Sequence, residues 1–284
     1  MNGKRIVSVS IIVPNYNNGR FLHDFIQSVL NSSTYPTELI IVDDGSTDDS
    51  IQRIREFGKL DFLTLICFKE NRGLTAALNA GLDVASCKYI MRADPDDILL
   101  PQRIETQFEH MEKNPEIDVL GSNVSYFKST NGAVLNISNF PTNHIQIESS
   151  YRSGEHGLQH PTAFVRGDIF RKYKYQRISP GEDYELFARM IKDGLKFANL
   201  TSPLYLMRVH PNSSTSNLKL ESIRQTFKFR DEIFGTKTKS LWVHIYFLHI
   251  SHYRSYQLAE NGILKYLHLA ISAIMYPRKI WKRL

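Results

Sequence analysis

Lys88-Tyr89-Ile90-Met91-Arg92-Ala93-Asp94-Pro95-Asp96-Asp97 is a short apolar segment that reads as a buried strand, followed at once by three carboxylates. Carboxylates crowded at one strand end repel one another and raise each other's pKa. A cation relieves that repulsion. Hard oxygen ligands suit Mg²⁺ or Mn²⁺, which in turn suit a phosphate group. Asp and Pro are also good turn residues, so a plain turn before a helix is the competing reading.

The segments before it repeat one plan. Ser8 to Val13 is a β-rich run that stops at Pro14, and residues 19–31 place Phe21, Leu22, Phe25, Ile26, Val29 and Leu30 at helical spacing. Glu38 to Val42 is a second strand ending at Asp43-Asp44-Gly45-Ser46, with Thr47 or Asp48 able to cap the next helix. Phe62 to Cys67 is a third strand, residues 74–85 an Ala/Leu-rich helix, Lys88 to Met91 a fourth strand, and Pro101 opens another helix. Strands separated by helices predict an α/β fold with a mainly parallel sheet covered on both faces. Ligands of such sheets sit beyond the carboxyl ends of the strands. Those ends carry Pro14-Asn15-Tyr16-Asn17, Asp43-Asp44, Asn71-Arg72-Gly73 and Asp94 to Asp97, a convergence that four separate turns explain poorly.

The second half is less regular. Asp118 to Phe127 and Ala133 to Ile137 read as strands flanking a turn at Asn131-Gly132, and Gln159 to Val165 as another strand. Gly181-Glu182-Asp183-Tyr184 opens a helix, Leu204 to Val209 is a last strand ending at His210-Pro211, and from about residue 218 the pattern is helical.

With 284 residues, 42% of them hydrophobic, the chain can bury a large core, which excludes a disordered chain. Two cysteines, Cys67 and Cys87, exclude a disulfide scaffold and make a reducing compartment the expectation. No run reaches the length of a spanning helix, and no signal-peptide pattern opens the sequence. The formal charge is +6, and after Glu260 there is no acid while Lys265, Arg278, Lys279, Lys282 and Arg283 add positive charge. Such a tail fits nucleic acid or an anionic membrane surface.

Five motifs in order resemble glycosyltransferase family 2. They are Val9 to Asn17, Val42-Asp43-Asp44-Gly45-Ser46-Thr47-Asp48, Asn71-Arg72-Gly73-Leu74 with Ala77-Leu78-Asn79, Arg92 to Asp97 with Pro101 and Arg103, and Gly181-Glu182-Asp183-Tyr184-Glu185-Leu186. The resemblance runs from about residue 8 to 215. It implies a GT-A fold, Rossmann-like, with a nucleotide-binding half over about 1–115, an acceptor half over about 116–217, and a C-terminal helical extension over 218–284. It also implies a nucleotide-sugar donor, Mn²⁺ or Mg²⁺, and inversion at the anomeric carbon.

Carried onto this sequence, the family pattern gives Pro14, Tyr16 and Asn17 the base pocket. Asp44 would accept a hydrogen bond from a base imide, which favours uracil or thymine over cytosine, with a UDP-sugar the first expectation. Arg72 would contact base or phosphate. Asp94 would lie between ribose and metal, Asp96 would be the direct metal ligand, and Asp97 a helix N-terminal acid or a supporting group. Pro95 stands where relatives often carry a small residue, which alters the loop but removes no carboxylate. Asp183 is the expected general base and Glu182 the weaker choice. His210 would approach the metal, Arg208 would hold a phosphate, and His160 would lie on the acceptor side, with a packed structural histidine as the bland alternative. The implied activity is transfer of a sugar to a glycan or lipid-linked acceptor in surface polysaccharide assembly. It is expected in the cytoplasm with no nucleic-acid partner. Its C-terminal helices either dock back on the domain or attach peripherally to the inner face of the membrane through the basic tail, two readings that are compatible. The alternatives are a nucleotidyltransferase, which normally needs a Gly-rich basic loop after the first strand, and a non-catalytic binding relative.

Overall fold

In the computed structural model, residues 4–176, 180–210, 219–258 and 262–276 are described. β1 (Ile6–Asn15), β2 (Tyr35–Asp43), β3 (Leu63–Cys67) and β4 (Tyr89–Arg92) pair in parallel in the order β3-β2-β1-β4. Alternation explains their two-sided burial. Val9, Ile11 and Val13 of β1 join Leu39 and Ile41 of β2 and Met91 of β4 in one core. Ile12, Ile40, Val42 and Ile90, one residue out of phase, join the other. α1 (Gly19–Leu30) covers the first face with Leu22, Phe25, Ile26 and Val29. α3 (Leu74–Val84) covers the second with Ala77, Leu78 and Leu82, and between β2 and β3 lies the short α2 (Ser50–Arg55). Each fully buried Phe or Leu contributes about 1.5–3 kcal/mol. β1 runs one residue past Pro14, which pairs in register with Val42 without needing its missing N–H.

Beyond β4 the sheet is mixed: β8 (Phe164–Arg166), β6 (Val119–Lys128), β9 (Phe197–Val209) and β5 (Ile98–Leu99) follow in that order, with β7 (Val134–Ile137) on β6. Parallel pairing therefore joins β1 through β4 and recurs between β6 and β9, while β4–β8, β6–β8, β6–β7 and β5–β9 are antiparallel. α4 (Arg103–Lys113) begins two residues after Pro101, which lies in the preceding turn. The expected strand at 159–165 is a 3-10 turn at His160–Thr162 followed by β8. α5 (His144–Arg152) and α6 (Gly167–Tyr173) have no counterpart in the sequence reading. α7 (Glu182–Lys192) buries Leu186, Phe187, Met190 and Ile191 as its spacing predicts.

α8 (Leu220–Phe234), α9 (Ser240–Leu258) and α10 (Gly262–Met275) complete the described chain. Phe229 of α8 enters the main core, and Phe227 packs with Val243 and Tyr246 of α9. Ile263, Leu264, Tyr266, Leu267 and Ile274 of α10 stay exposed. No helix among the described residues is long and apolar enough to cross a membrane. Arg278, Lys279, Trp281, Lys282 and Arg283 of the basic tail lie outside the described residues.

Candidate functional site

The parallel strands end side by side, and their loops are tied by polar side chains. Asn15 Nδ2 donates to the fully buried Asp43 at 2.7 Å, and Asp43 also accepts from the Ser46 N–H and hydroxyl. Asn17 has φ +55, a left-handed conformation that Asn tolerates, and its side-chain carbonyl accepts from the Thr47 N–H at 2.8 Å. Asp44 accepts from the backbone N–H groups of Arg72 at 2.6 Å and Gly73 at 2.8 Å, fixing the third loop against the second. Gly45 between them has φ +70, and a Cβ there would lie 2.5 Å from the Glu70 carbonyl carbon. Tyr16 is 45% exposed and free to meet a planar ligand.

The acidic cluster sits where β4 ends. Asp94, Asp96 and Asp97 offer oxygens all within 4.8 Å of one another, the one such group among the described residues. Burial pushes Asp97 well above the usual carboxylate range, helped by the charges of Asp96 and Asp94. Burial also raises Asp94, although the buried Arg92 guanidinium, paired with it, pulls the other way. Crowded, partly desolvated carboxylates with this spacing fit a divalent cation, with Asp96 and Asp94 facing the opening and His210 Nε2 3.0 Å from Asp96 Oδ2. Asp97 is not a helix N-terminal acid. It precedes β5, and its carboxylate accepts the Arg208 N–H at 2.7 Å. It thereby holds the loop against β9.

Arg208 is likewise committed within the protein. Its Nε donates to the Asp96 carbonyl at 2.8 Å, its Nη2 to Asp24 at 2.9 Å, and its guanidinium lies between Phe21 and Phe127 at 5.0 and 4.8 Å. Arg103, fully buried, braces the same region by donating to the Arg92 and Pro161 carbonyls. Tyr205 does so by accepting the Asp94 N–H at 2.8 Å.

Asp183 opens α7 on the far side of the cleft. Burial alone would raise its pKa. His156, the Tyr184 N–H and Arg92 act against that and hold it below the usual value, so it is ionised at neutral pH. Glu182 beside it goes the other way: burial, then the Asp183 charge, push it up to about 7. His160 is buried, its Nε2 2.6 Å from the Tyr175 hydroxyl, and burial drives it well below its ordinary value, so it is neutral.

A cleft of about 630 Å³ brings together Pro14, Tyr16, Asn17, Asp44, Asp94, Asp96, Asp183, Arg208 and His210. Arg72 is the expected residue that does not line it; its neighbours Asn71 and Gly73 do, while its guanidinium lies 4.6 Å from the Phe68 ring centre. The sequence reading left two lining arginines without a role. Arg92 sits within the acidic motif, and Arg20 follows the first strand end at the start of α1, stacked on Phe21 at 4.4 Å. A helix start beside a strand end was the signal available for Arg20.

The profile described as Glycosyl transferase family 2 matches residues 10–174. An uncharacterized glycosyltransferase of Methanocaldococcus jannaschii is 32% identical over 72% of this chain and 71% of its own length. The amylovoran biosynthesis glycosyltransferase AmsE of Erwinia amylovora is 29% identical over 73% and 78%. A UDP-Gal:alpha-D-GlcNAc-diphosphoundecaprenol beta-1,3-galactosyltransferase of Escherichia coli is 30% identical over 66% and 68%. Among solved structures, S. aureus TarS in complex with UDP-GlcNAc matches 95% of this chain and 89% of its own at TM-score 0.63 and 15% identity. The mannosyltransferase PcManGT of Pyrobaculum calidifontis, in complex with GDP-Man and Mn²⁺, matches 96% and 82% at TM-score 0.62 and 14% identity. These two likenesses carry the GT-A fold alone. The profile match over more than half the sequence, with the M. jannaschii relative, makes this chain a member of glycosyltransferase family 2.

Proposed function

We propose that the protein is a metal-dependent inverting glycosyltransferase that moves a sugar from a UDP-sugar to a hydroxyl of a glycan or lipid-linked acceptor. The observation that carries this reading is the single cleft onto which Tyr16 and Asp44, the Asp94–Asp96 carboxylates and Asp183 all open. Tyr16 offers a ring to the base. Each Asp44 oxygen holds one backbone N–H and keeps a second lone pair, enough to accept a base imide. Asp96 and Asp94, with His210 against Asp96, would hold the cation, and Arg20 would face the diphosphate. The cation, when bound, supplies Lewis-acid stabilisation of the departing nucleoside diphosphate.

Asp183, ionised and across the cleft from the acidic cluster, would take the acceptor hydroxyl's proton as that oxygen attacks the anomeric carbon. A single direct displacement inverts the configuration there. The Tyr184 N–H and the Arg92 guanidinium favour the anionic form of Asp183. UDP-linked donors, a lipid-linked acceptor and polysaccharide synthesis are named for the E. coli and E. amylovora relatives, and Mn²⁺ for the P. calidifontis enzyme. We assign donor binding to about residues 1–115 and acceptor binding chiefly to about 116–217, with the remainder a helical extension whose first helix enters the main core. The exposed apolar side chains of α10 and the acid-free sequence after Glu260 fit peripheral contact with an anionic membrane from the cytoplasmic side. Purified protein given a panel of nucleotide sugars with Mn²⁺ and a panel of oligosaccharide acceptors should release UDP from at least one donor as its sugar passes to an acceptor hydroxyl. Release from none of the UDP-sugars contradicts the proposal.

A further inference from the structure

A second cavity of about 680 Å³ meets the donor cleft at one residue: Asp183 lines both. We infer that this groove takes the acceptor, that the acceptor is an uncharged saccharide, and that α8 and α9 form its outer wall. The inference rests on the reading of Asp183 as the base.

The lining chemistry differs from that of the donor cleft. Among the described residues lining it, Arg254 is the one lysine or arginine, and Glu155 and Asp183 offset its charge, a balance that suits a diphosphate poorly. Tyr126, Tyr246 and Tyr253 give it aromatic walls with hydroxyl tips. Asn139 and Ser222 add polar groups. A pyranose has two apolar C–H faces and a rim of hydroxyls, which this mixture of rings and short polar groups matches. His156 lines the same groove with Nδ1 3.7 Å from Asp183 Oδ2, so the base is held from the side on which the hydroxyl would arrive.

The wall is built into the fold. Ser222 and Ile223 come from α8, and Tyr246, Ile250 and Tyr253 from α9. α8 is seated close against the rims. A Cβ at Gly154 would lie 2.9 Å from the Phe227 ring, and one at Gly181, where φ is +104, would lie 3.2 Å from Phe229. These glycines let the helix approach and close the groove beside the Asp183 carboxylate. The C-terminal helices, which lie beyond the matched profile, thereby carry acceptor specificity.

The test uses the whole chain with UDP and Mg²⁺. The probes are the methyl pyranosides of glucose, galactose, N-acetylglucosamine and mannose, read by saturation-transfer NMR. At least one pyranoside should contact the wild type. Ser222→Trp, which fills the groove, should abolish that contact, and Tyr253→Ala should weaken it about tenfold. Both variants should keep the wild-type thermal shift with UDP, which also shows that they fold. The inference is overturned if no pyranoside contacts the wild type, or if the contact survives both substitutions. Loss of the UDP shift in the wild type would instead bring down the donor reading, leaving the groove measurement to stand separately.

Discussion

Replacing Arg208 with methionine separates two roles for one guanidinium: a ligand of the donor phosphate, or a brace for the acidic loop. The distances favour the brace. The Nε bond to the Asp96 carbonyl, at 2.8 Å and donated by a charged group, contributes about 1.5–3 kcal/mol. Contacts with the Phe21 and Phe127 rings at 5.0 and 4.8 Å add about 0.5–1 kcal/mol each. The Asp24 partner is half exposed, so that pair adds about 0–1 kcal/mol. Methionine keeps the buried stem, and neighbouring contributions do not simply add, so the net loss should be about 2–4 kcal/mol. Urea denaturation in EDTA measures this without a cation. Mn²⁺ affinity should fall as well, because the Asp96 backbone loses its anchor, whereas uridine affinity should hold. A variant as stable as the wild type, with a loss confined to UDP relative to uridine, would refute the brace and restore the phosphate contact.

Gly45→Ala should cost about 2–4 kcal/mol, combining a left-handed alanine with overpacking against backbone that cannot rotate away. The denaturation midpoint should drop at unchanged slope, and UDP affinity should fall with it as the 71–73 loop is displaced from Asp44. Glu182→Gln should flatten the pH dependence of stability. In the native state Glu182 keeps its proton up to about 7, whereas the unfolded chain loses it near the ordinary 4.5. Its contribution is therefore complete below that lower value and fades as pH rises through about 7. Denaturation in EDTA across that window should show a shallower decline for the variant than for the wild type; an identical decline would reject the shifted Glu182.

The strand ends were legible because their signal is local. Period-two alternation in β1 and β2, broken by Pro14 and by Asp43-Asp44-Gly45, places four polar loops on one edge without any knowledge of tertiary contacts. What the sequence leaves open depends on distant pairing. Asp97 reads as a helix acid or a supporting group, and only the pairing of Ile98 and Leu99 with Leu206 and Tyr205 decides for the second. The phosphate contact implied for Arg208 competes with Asp24 and the Asp96 carbonyl, both of which lie against its guanidinium. Arg72 belongs to a recognisable motif, yet the loop spends its backbone N–H on Asp44 and turns its side chain toward Phe68. α5 escaped notice because only Ile147 and Tyr151 of its nine residues are buried, too few to set a period. The 159–165 segment, apolar enough for a strand, is bent by Pro161 into a 3-10 turn that holds His160 near Asp183.

The division of labour between the acidic cluster and Asp183 is tested most directly by measuring UDP binding and UDP release together in Asp96→Ala and Asp183→Asn, with and without Mn²⁺. Asp183→Asn should bind UDP with Mn²⁺ as the wild type does and release none from a UDP-sugar. Asp96→Ala should lose the Mn²⁺-dependent part of binding and, with it, turnover. Full release in both variants would contradict the account.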